Sequence, residues 1–326
     1  MGCFYPLIGY QIPGQQVVFK PPAKTRMEDY RLLKVPCGQC IGCRLEKSRK
    51  WAMRCVYEAS LHEENSFLTL TYAPEHLPEN GTLLKRDLTL FLKRLRKAYS
   101  GKCIRYFGCG EYGDKFARPH YHLILFGFSP PELRRELCPQ TLPPSLSSFF
   151  FSSQSAVFGS DLLCSSSGCS DESNLTVTFS KSLAEIWQKG HVAVGSVTFN
   201  SCAYVARYCC KKVTGDKAKA HYDGRIPEYV VMSRRPGIAG NWIKKYLGDV
   251  YPADKCLIRG VRCKPPRFFD NVLAEINRCL FDVIKKDRKI YSELHEKDQL
   301  ELERLEEFQK QKNKFFSRKY EKGLDI

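Results

Sequence analysis

The sequence predicts an α+β fold, and three observations carry that prediction. Two apolar runs, CIRYFGCGEYG (103–113) and HYHLILFG (120–127), flank the short loop DKFARP, so they read as antiparallel neighbours. Amphipathic helical segments alternate with these and other short strands. The tail from about 270 is charged and helical, with no Pro or Gly until Gly323.

Along the chain, EKSRKWAMRCVYEAS (46–60) has helix-forming composition, and SFLTLTY (66–72) is a β-rich run closed by Pro74. The segment 82–101 predicts a helix with Leu84, Leu88, Phe91 and Leu95 on its apolar face, Thr82 as its cap and Gly101 at its end. The opposite face carries Lys85, Arg86, Lys93, Arg94 and Lys97. Residues 129–173, rich in Ser, Pro and Gly, read as an insertion. A short helix (181–190), a strand (191–199) and a second helix from 202, capped by Asn200 or Ser201, follow. This divides the chain into a cysteine-rich, basic N-terminal segment (1–60), a core (61–250) and a charged helical region (251–326).

The 326 residues carry a formal net charge of +17. That excess points to a polyanionic partner, nucleic acid before an anionic membrane. No apolar stretch is long enough for a transmembrane helix, and the N-terminus does not read as a signal peptide. Sixteen cysteines without an export signal predict a reducing compartment, with the cysteines as buried apolar residues, metal ligands or neutral drift rather than disulfides. No GxxxxGK[ST] occurs, which argues against an ATPase motor.

The chemistry concentrates in two places. Side chains at i and i+2 of a strand share a face, so His120 and His122 project together while Tyr121 points away. Glu111, on the preceding strand, is their candidate acidic partner. Two imidazoles and a carboxylate leave room for a phosphate oxygen, which suits Mg²⁺ or Mn²⁺ as a Lewis acid. On the later helix, Tyr204 and Tyr208 are one turn apart on one face, with Lys211 on that face and Lys212 one turn beyond Tyr208. A tyrosine oxygen can attack a phosphodiester and hold the DNA end covalently. Taken singly, an HxH pair lines many strand edges and a YxxxY pair is usually core.

Separately, Cys37, Cys40 and Cys43 are spaced CxxCxxC. Zinc would need a fourth thiolate, with Cys3 preferred over Cys55. Three ordinary thiols in a turn are the plain alternative, and an iron–sulfur cluster a further one.

FLTLTY, RPHYHLILFG and AYVARYCCKK, in that order, resemble motifs I, II and III of the HUH endonucleases that start rolling-circle replication. More narrowly, VPCGQCIGCRLEKSRKWAMRC, FLKRLRK and MSRRPGIAGNW are similar to the replication initiators of gokushoviruses, a branch of the Microviridae. The resemblance covers about 1–128 and 174–250. It implies an antiparallel sheet of about five strands with flanking helices. It also implies a metal at His120, His122 and Glu111, nucleophiles Tyr204 and Tyr208, and Lys211 as the lysine of motif III. The implied activity is a site-specific nickase and strand transferase acting on single-stranded and origin DNA in the host bacterial cytoplasm, alongside host helicase and polymerase. Lys93, Arg94, Lys97 and Lys212 are the candidate DNA contacts. The rival readings are a transposase or plasmid initiator of the same superfamily, and a non-enzymatic zinc-bearing DNA-binding protein.

Overall fold

The computed structural model describes residues 2–21, 29–113, 116–133, 178–208, 212–213 and 217–321, with the backbone alone at Tyr208, Lys217 and 313–321. The chain divides into two compact units, residues 1–48 with 287–326, and residues 49–286.

In the first unit, β1 (Leu7–Gln11) pairs antiparallel with β2 (Arg31–Val35), Leu7 opposite Val35. Helix α1 (Ile41–Ala59) begins here, four residues after Cys37.

The second unit is built on a six-stranded antiparallel sheet. Helix α1 leads into β3 (Asn65–Thr71), α2 (Lys85–Ala98), β4 (Arg105–Tyr112), β5 (Pro119–Phe126), β6 (Thr178–Phe179), α3 (Lys181–Trp187), β7 (Val192–Gly195), α4 (Phe199–Tyr208), α5 (Lys217–Tyr222) and β8 (Tyr229–Met232). The strand order is β6-β7-β3-β5-β4-β8. About five strands were expected; the two edge strands, β6 and β8, were not among those read in sequence. From residue 134 on, the insertion expected at 129–173 lies outside the described residues.

Strand periodicity sorts the side chains onto two faces. Leu68, Leu70, Tyr121, Leu123 and Leu125 pack with Leu88, Phe91 and Leu95 of α2 and Leu183 and Trp187 of α3. Phe67, Phe107, Ile124 and Phe126 pack on the other face with Ala52 and Cys55 of α1 and Cys202, Val205 and Ala206 of α4. Each layer of helices thus buries an apolar stripe against an apolar strand face, the arrangement that makes an α+β domain stable.

Beyond the sheet come α6 (Gly240–Lys245), the hairpin β9 (Cys256–Ile258) and β10 (Val261–Cys263), then α7 (Arg267–Ile276), α8 (Arg278–Leu294) and α9 (Gln299–Glu321). The charged tail is helical as its composition implied; the hairpin before it was not anticipated. A third cluster joins Met53 and Tyr57 of α1 to Ile243, Phe269 and Leu273, with the Tyr57 ring stacked on Trp242 at 3.8 Å.

Two helix starts differ from the sequence reading. Thr82 does not cap α2; its hydroxyl accepts from the Ile226 N–H at 2.9 Å. No side chain caps α2; phenols from the sheet hold the backbone just before it, the Leu83 N–H donating to Tyr112 at 3.2 Å and the Leu84 N–H to Tyr121 at 3.0 Å. Helix α4 starts at Phe199, earlier than expected, so neither Asn200 nor Ser201 is its N-cap. Thr198 and Ser201 form a reciprocal cap, the Ser201 N–H donating to Thr198 Oγ1 at 3.2 Å and the Thr198 N–H to Ser201 Oγ at 2.8 Å.

Candidate metal centre and tyrosine helix

Pairing register assembles the first cluster. Glu111 on β4 lies directly opposite His120 on β5, and His122 on β5 lies opposite Thr69 on β3. All four sit on the face that α1 and α4 cover. The ligand atoms of Glu111, His120 and His122 lie within 4.8 Å of one another. His120 Nε2 is 2.7 Å from Glu111 Oε1, and His122 Nε2 is 3.4 Å from the same oxygen. Glu111 and His122 are buried.

The hydrogen bonds around the trio orient it. Thr69 Oγ1 lies 2.9 Å from His122 Nδ1, which turns His122 Nε2 toward Glu111. The Arg118 carbonyl lies 3.1 Å from His120 Nδ1. Burial works against ionisation of Glu111, yet hydrogen bonds from the two imidazoles hold its carboxyl below its usual value.

These residues fit a divalent cation. Glu111 Oε2 is buried with no hydrogen-bond partner among the described residues. A neutral imidazole has one N–H, so His120 cannot satisfy both the Arg118 carbonyl and Glu111 Oε1. A cation on Nε2 would leave Nδ1–H for the carbonyl and give both carboxylate oxygens a positive neighbour. A ligating histidine held through its other nitrogen is the usual supporting arrangement.

Helix α4 lies over the same sheet face, its Cys202, Val205 and Ala206 fully buried. Tyr204 is 39% exposed, so it is not a core tyrosine. Its ring meets His122 edge-on at 5.1 Å and Phe67 at 6.2 Å. Tyr208 is the last residue of the helix, and its side chain lies outside the described residues, as does Lys211. The structure thus brings Tyr204 to the trio.

The candidate DNA contacts are scattered. Lys93 and Lys97 are exposed on α2, and Lys212 is exposed after α4. Arg94 is engaged within the fold, donating to the Gln188 side chain and to the Trp187 carbonyl at the end of α3. At the end of β4 away from Glu111, Arg96, Lys102, Arg105, Arg234 and Arg235 line a cleft of about 920 Å³. Of these, Arg234 and Arg235 stand in the sequence reading only within MSRRPGIAGNW, with no role assigned to them. Thr69 was also missed; the alternation of FLTLTY places it on the face of Phe67, but nothing local reveals that His122 is its partner.

The cysteines form the second cluster. Cys3, Cys37, Cys40 and Cys43 converge, all four Sγ atoms within 4.8 Å. Backbone N–H groups point at the sulfurs: Cys37 N to Cys3 Sγ at 3.2 Å, Cys40 N to Cys37 Sγ at 3.3 Å, and Cys43 N to Cys40 Sγ at 3.5 Å. Burial opposes ionisation of Cys40, but N–H donors from Phe4 and Cys43 bring its thiol down to about 7. Cys55, the alternative fourth ligand, is instead buried in the core beside α4 and the sheet.

Comparison with known proteins follows this geometry. The family described as Replication-associated protein ORF2/G2P matches residues 65–213, a span that holds Glu111, both histidines and both tyrosines. The chain is 27% identical over 283 residues to replication-associated protein VP4 of Bdellovibrio phage phiMH2K, covering 83% of this chain and 76% of that one. It is 29% identical over 311 residues to replication-associated protein ORF2 of Spiroplasma virus 4, covering 89% and 86%. Replication-associated protein ORF4 of Chlamydia phage 1 is 30% identical over 248 residues, 74% of this chain and 54% of the phage protein. No solved structure matches the chain.

Proposed function

We propose that this chain, which matches the family described as Replication-associated protein ORF2/G2P over residues 65–213, starts phage DNA replication as a DNA nickase and strand transferase of HUH type. The observation that carries this reading is the placement of Tyr204 on a helix whose ring lies 5.1 Å from His122 of the Glu111–His120–His122 trio.

When bound by these three residues, Mg²⁺ or Mn²⁺ supplies Lewis-acid neutralisation of charge on the scissile phosphate. The protein supplies the rest. Thr69 and the Arg118 carbonyl hold the two imidazoles in orientation. A tyrosine oxygen attacks the phosphorus of the origin strand; the new Tyr O–P bond forms as the P–O3′ bond breaks. The leaving 3′ oxygen takes up a proton, and the phenol gives one up. Lys211, with Lys212 beside it, stabilises the charge that develops. One phosphoester replaces another, so the bond energy is kept in the 5′-phosphotyrosine and no ATP is consumed. The second tyrosine, one helical turn and about 6 Å along the axis, takes the next transfer. The freed 3′-hydroxyl then attacks the first phosphotyrosine and closes a single-stranded circle.

The same reading assigns Lys93, Arg94, Lys97 and Lys212 to DNA backbone contact, and sets the protein in the host cytoplasm with host helicase and polymerase. Among the described residues no helix is long and apolar enough to cross a membrane.

Incubation with origin DNA labelled at its 3′ end and Mg²⁺ or Mn²⁺, followed by a denaturing gel, tests the proposal. A labelled band that migrates with the protein and disappears on protease treatment is expected. Bound DNA without any covalent adduct would favour a DNA-binding protein without catalysis.

A further inference from the structure

The geometry points to a closed, structural zinc site formed by Cys3, Cys37, Cys40 and Cys43, which fastens the base of the β1–β2 hairpin to the start of α1. This inference is independent of the nicking chemistry.

The sulfur spacing selects the kind of ligand. Zinc–thiolate bonds of about 2.3 Å in a tetrahedron put neighbouring sulfurs about 3.8 Å apart. Cys3 Sγ and Cys40 Sγ are 3.9 Å apart, and the whole set lies within 4.8 Å. That is the volume of one ion. An iron–sulfur cluster holds several irons between its thiolates and needs a wider frame. Four thiolates, with no fifth His, Cys, Asp or Glu donor grouped with them among the described residues, leave no open position, which marks a structural rather than a catalytic site.

Local backbone details agree. Gly38 has φ +74°, a turn conformation that lets Cys40 and Cys43 fold back toward Cys37. At Gly42 an added Cβ would come within 2.4 Å of the Gly2 carbonyl and 2.9 Å of the Phe4 ring. The spacer glycine is what lets the N-terminal segment pass close enough for Cys3 to reach the other three. The N–H···S contacts described above place positive dipole ends against the sulfurs, which favours thiolates. Ion binding would release the thiol protons to solvent.

The site also has work to do in the fold. Cys3 lies four residues before Leu7, and Cys37 two residues after Val35, so the cluster closes the hairpin where those two strand ends pair. A two-stranded sheet is marginal by itself. This one leaves Leu7, Ile8 and Leu32 about half exposed. An ion at its base adds a cross-link that strand pairing alone does not supply.

Three measurements on the full-length protein, purified reduced and metal-replete, decide the matter. Elemental analysis should find about one zinc per chain, the content one tetrahedral site requires. Cobalt exchanged into the protein should show the thiolate charge-transfer and intense visible bands of a tetrahedral tetrathiolate. Cys3→Ser should weaken those bands and the metal retention, and Cys55→Ser should leave both unchanged. On chelation, hydrogen exchange should accelerate in residues 7–11 and 31–35 while β3 and β5 stay protected. The cobalt spectrum of the unaltered chain carries the test if Cys3→Ser does not fold. Metal-free protein with four freely titrating thiols, iron with stoichiometric sulfide, or a Cys3→Ser protein with an unchanged cobalt spectrum would overturn the assignment.

Discussion

The two metal-competent clusters of this molecule are built on opposite principles. Glu111, His120 and His122 stand on adjacent central strands, so their spacing is fixed by backbone pairing before any ion arrives. Cys37 and Cys40 stand in the turn before α1, Cys43 in its first turn, and Cys3 on a segment that the short hairpin brings back. The first mixes nitrogen and oxygen donors, uses three residues, and has Tyr204 at its rim; among the described residues the second offers four cysteine sulfurs and no other ligand. A pre-organised three-ligand site can exchange a phosphate oxygen in its remaining positions, whereas a four-thiolate site is full. The difference teaches that rigidity precedes the ion where chemistry is to be done, and follows from the ion where the task is to hold the chain.

The largest expected effect separates the two clusters outright. Replacing His120 and His122 together by Ala should abolish cleavage of origin DNA while leaving most DNA binding in place, as read by denaturing and native gels side by side. Full cleavage by this variant in chelator would remove the sheet cluster from the mechanism. The single tyrosine variants come next. Tyr208→Phe should keep partial nicking with Tyr204 carrying the adduct but release no closed circles, and Tyr204→Phe should give the converse. Repeated rounds of nicking and closure by either one would replace alternation with a single-nucleophile scheme.

How much of this was legible beforehand follows from chain separation. The histidine pair, its shared face and Glu111 across a short loop are local, and period-two patterning exposes them. Thr69 is not, because it lies 53 positions before His122 and no residue type announces the register. The phenols that meet α2 escaped for the same reason: Thr82 is the obvious cap in sequence, whereas Tyr112 and Tyr121 arrive from the sheet. Cys3 is 34 positions from Cys37; its candidacy came from residue type, and the hairpin that returns it came only with the fold. Arg94 shows the reverse failure. A basic helix face looks uniform in sequence, yet this guanidinium is turned onto the end of α3.

Two smaller effects sharpen the contrast. Thr69→Val should keep the sheet intact, being β-branched at a strand position, yet reduce metal affinity or cleavage by roughly 10–100-fold, the usual weight of a group that orients a ligating imidazole. Metal titrations of cleavage rate read it; an unchanged titration would mean that His122 needs no such support.

The smallest effect on cleavage is expected at Glu58, an ionic anchor that pairs with Arg105 at the end of β4 away from Glu111. Burial opposes its ionisation, but His62, Arg105 and the Ala239 N–H outweigh that and keep its carboxyl below the usual 4.5. A carboxyl depressed in the folded state stabilises the fold above its unfolded value, and that contribution disappears as pH falls through the folded value. Glu58→Gln should therefore cost about 3–5 kcal/mol at neutral pH by stranding buried Arg105, and should flatten the acid limb of the thermal midpoint below pH 4.5. Cleavage at low temperature should be nearly unchanged. An unaltered acid limb would show that the Glu58–Arg105 pair does not anchor the sheet.

The central claim is that a tyrosine on the helix above the sheet cluster becomes joined to DNA. Reaction of the full chain with an origin oligonucleotide and Mn²⁺, then nuclease trimming and tandem mass spectrometry of its peptides, tests it most directly. The account predicts a nucleotide attached through a 5′ phosphate to Tyr204 or Tyr208, absent when both are Phe. Cleaved DNA bearing a free 5′ phosphate, with both tyrosines unmodified, would contradict it.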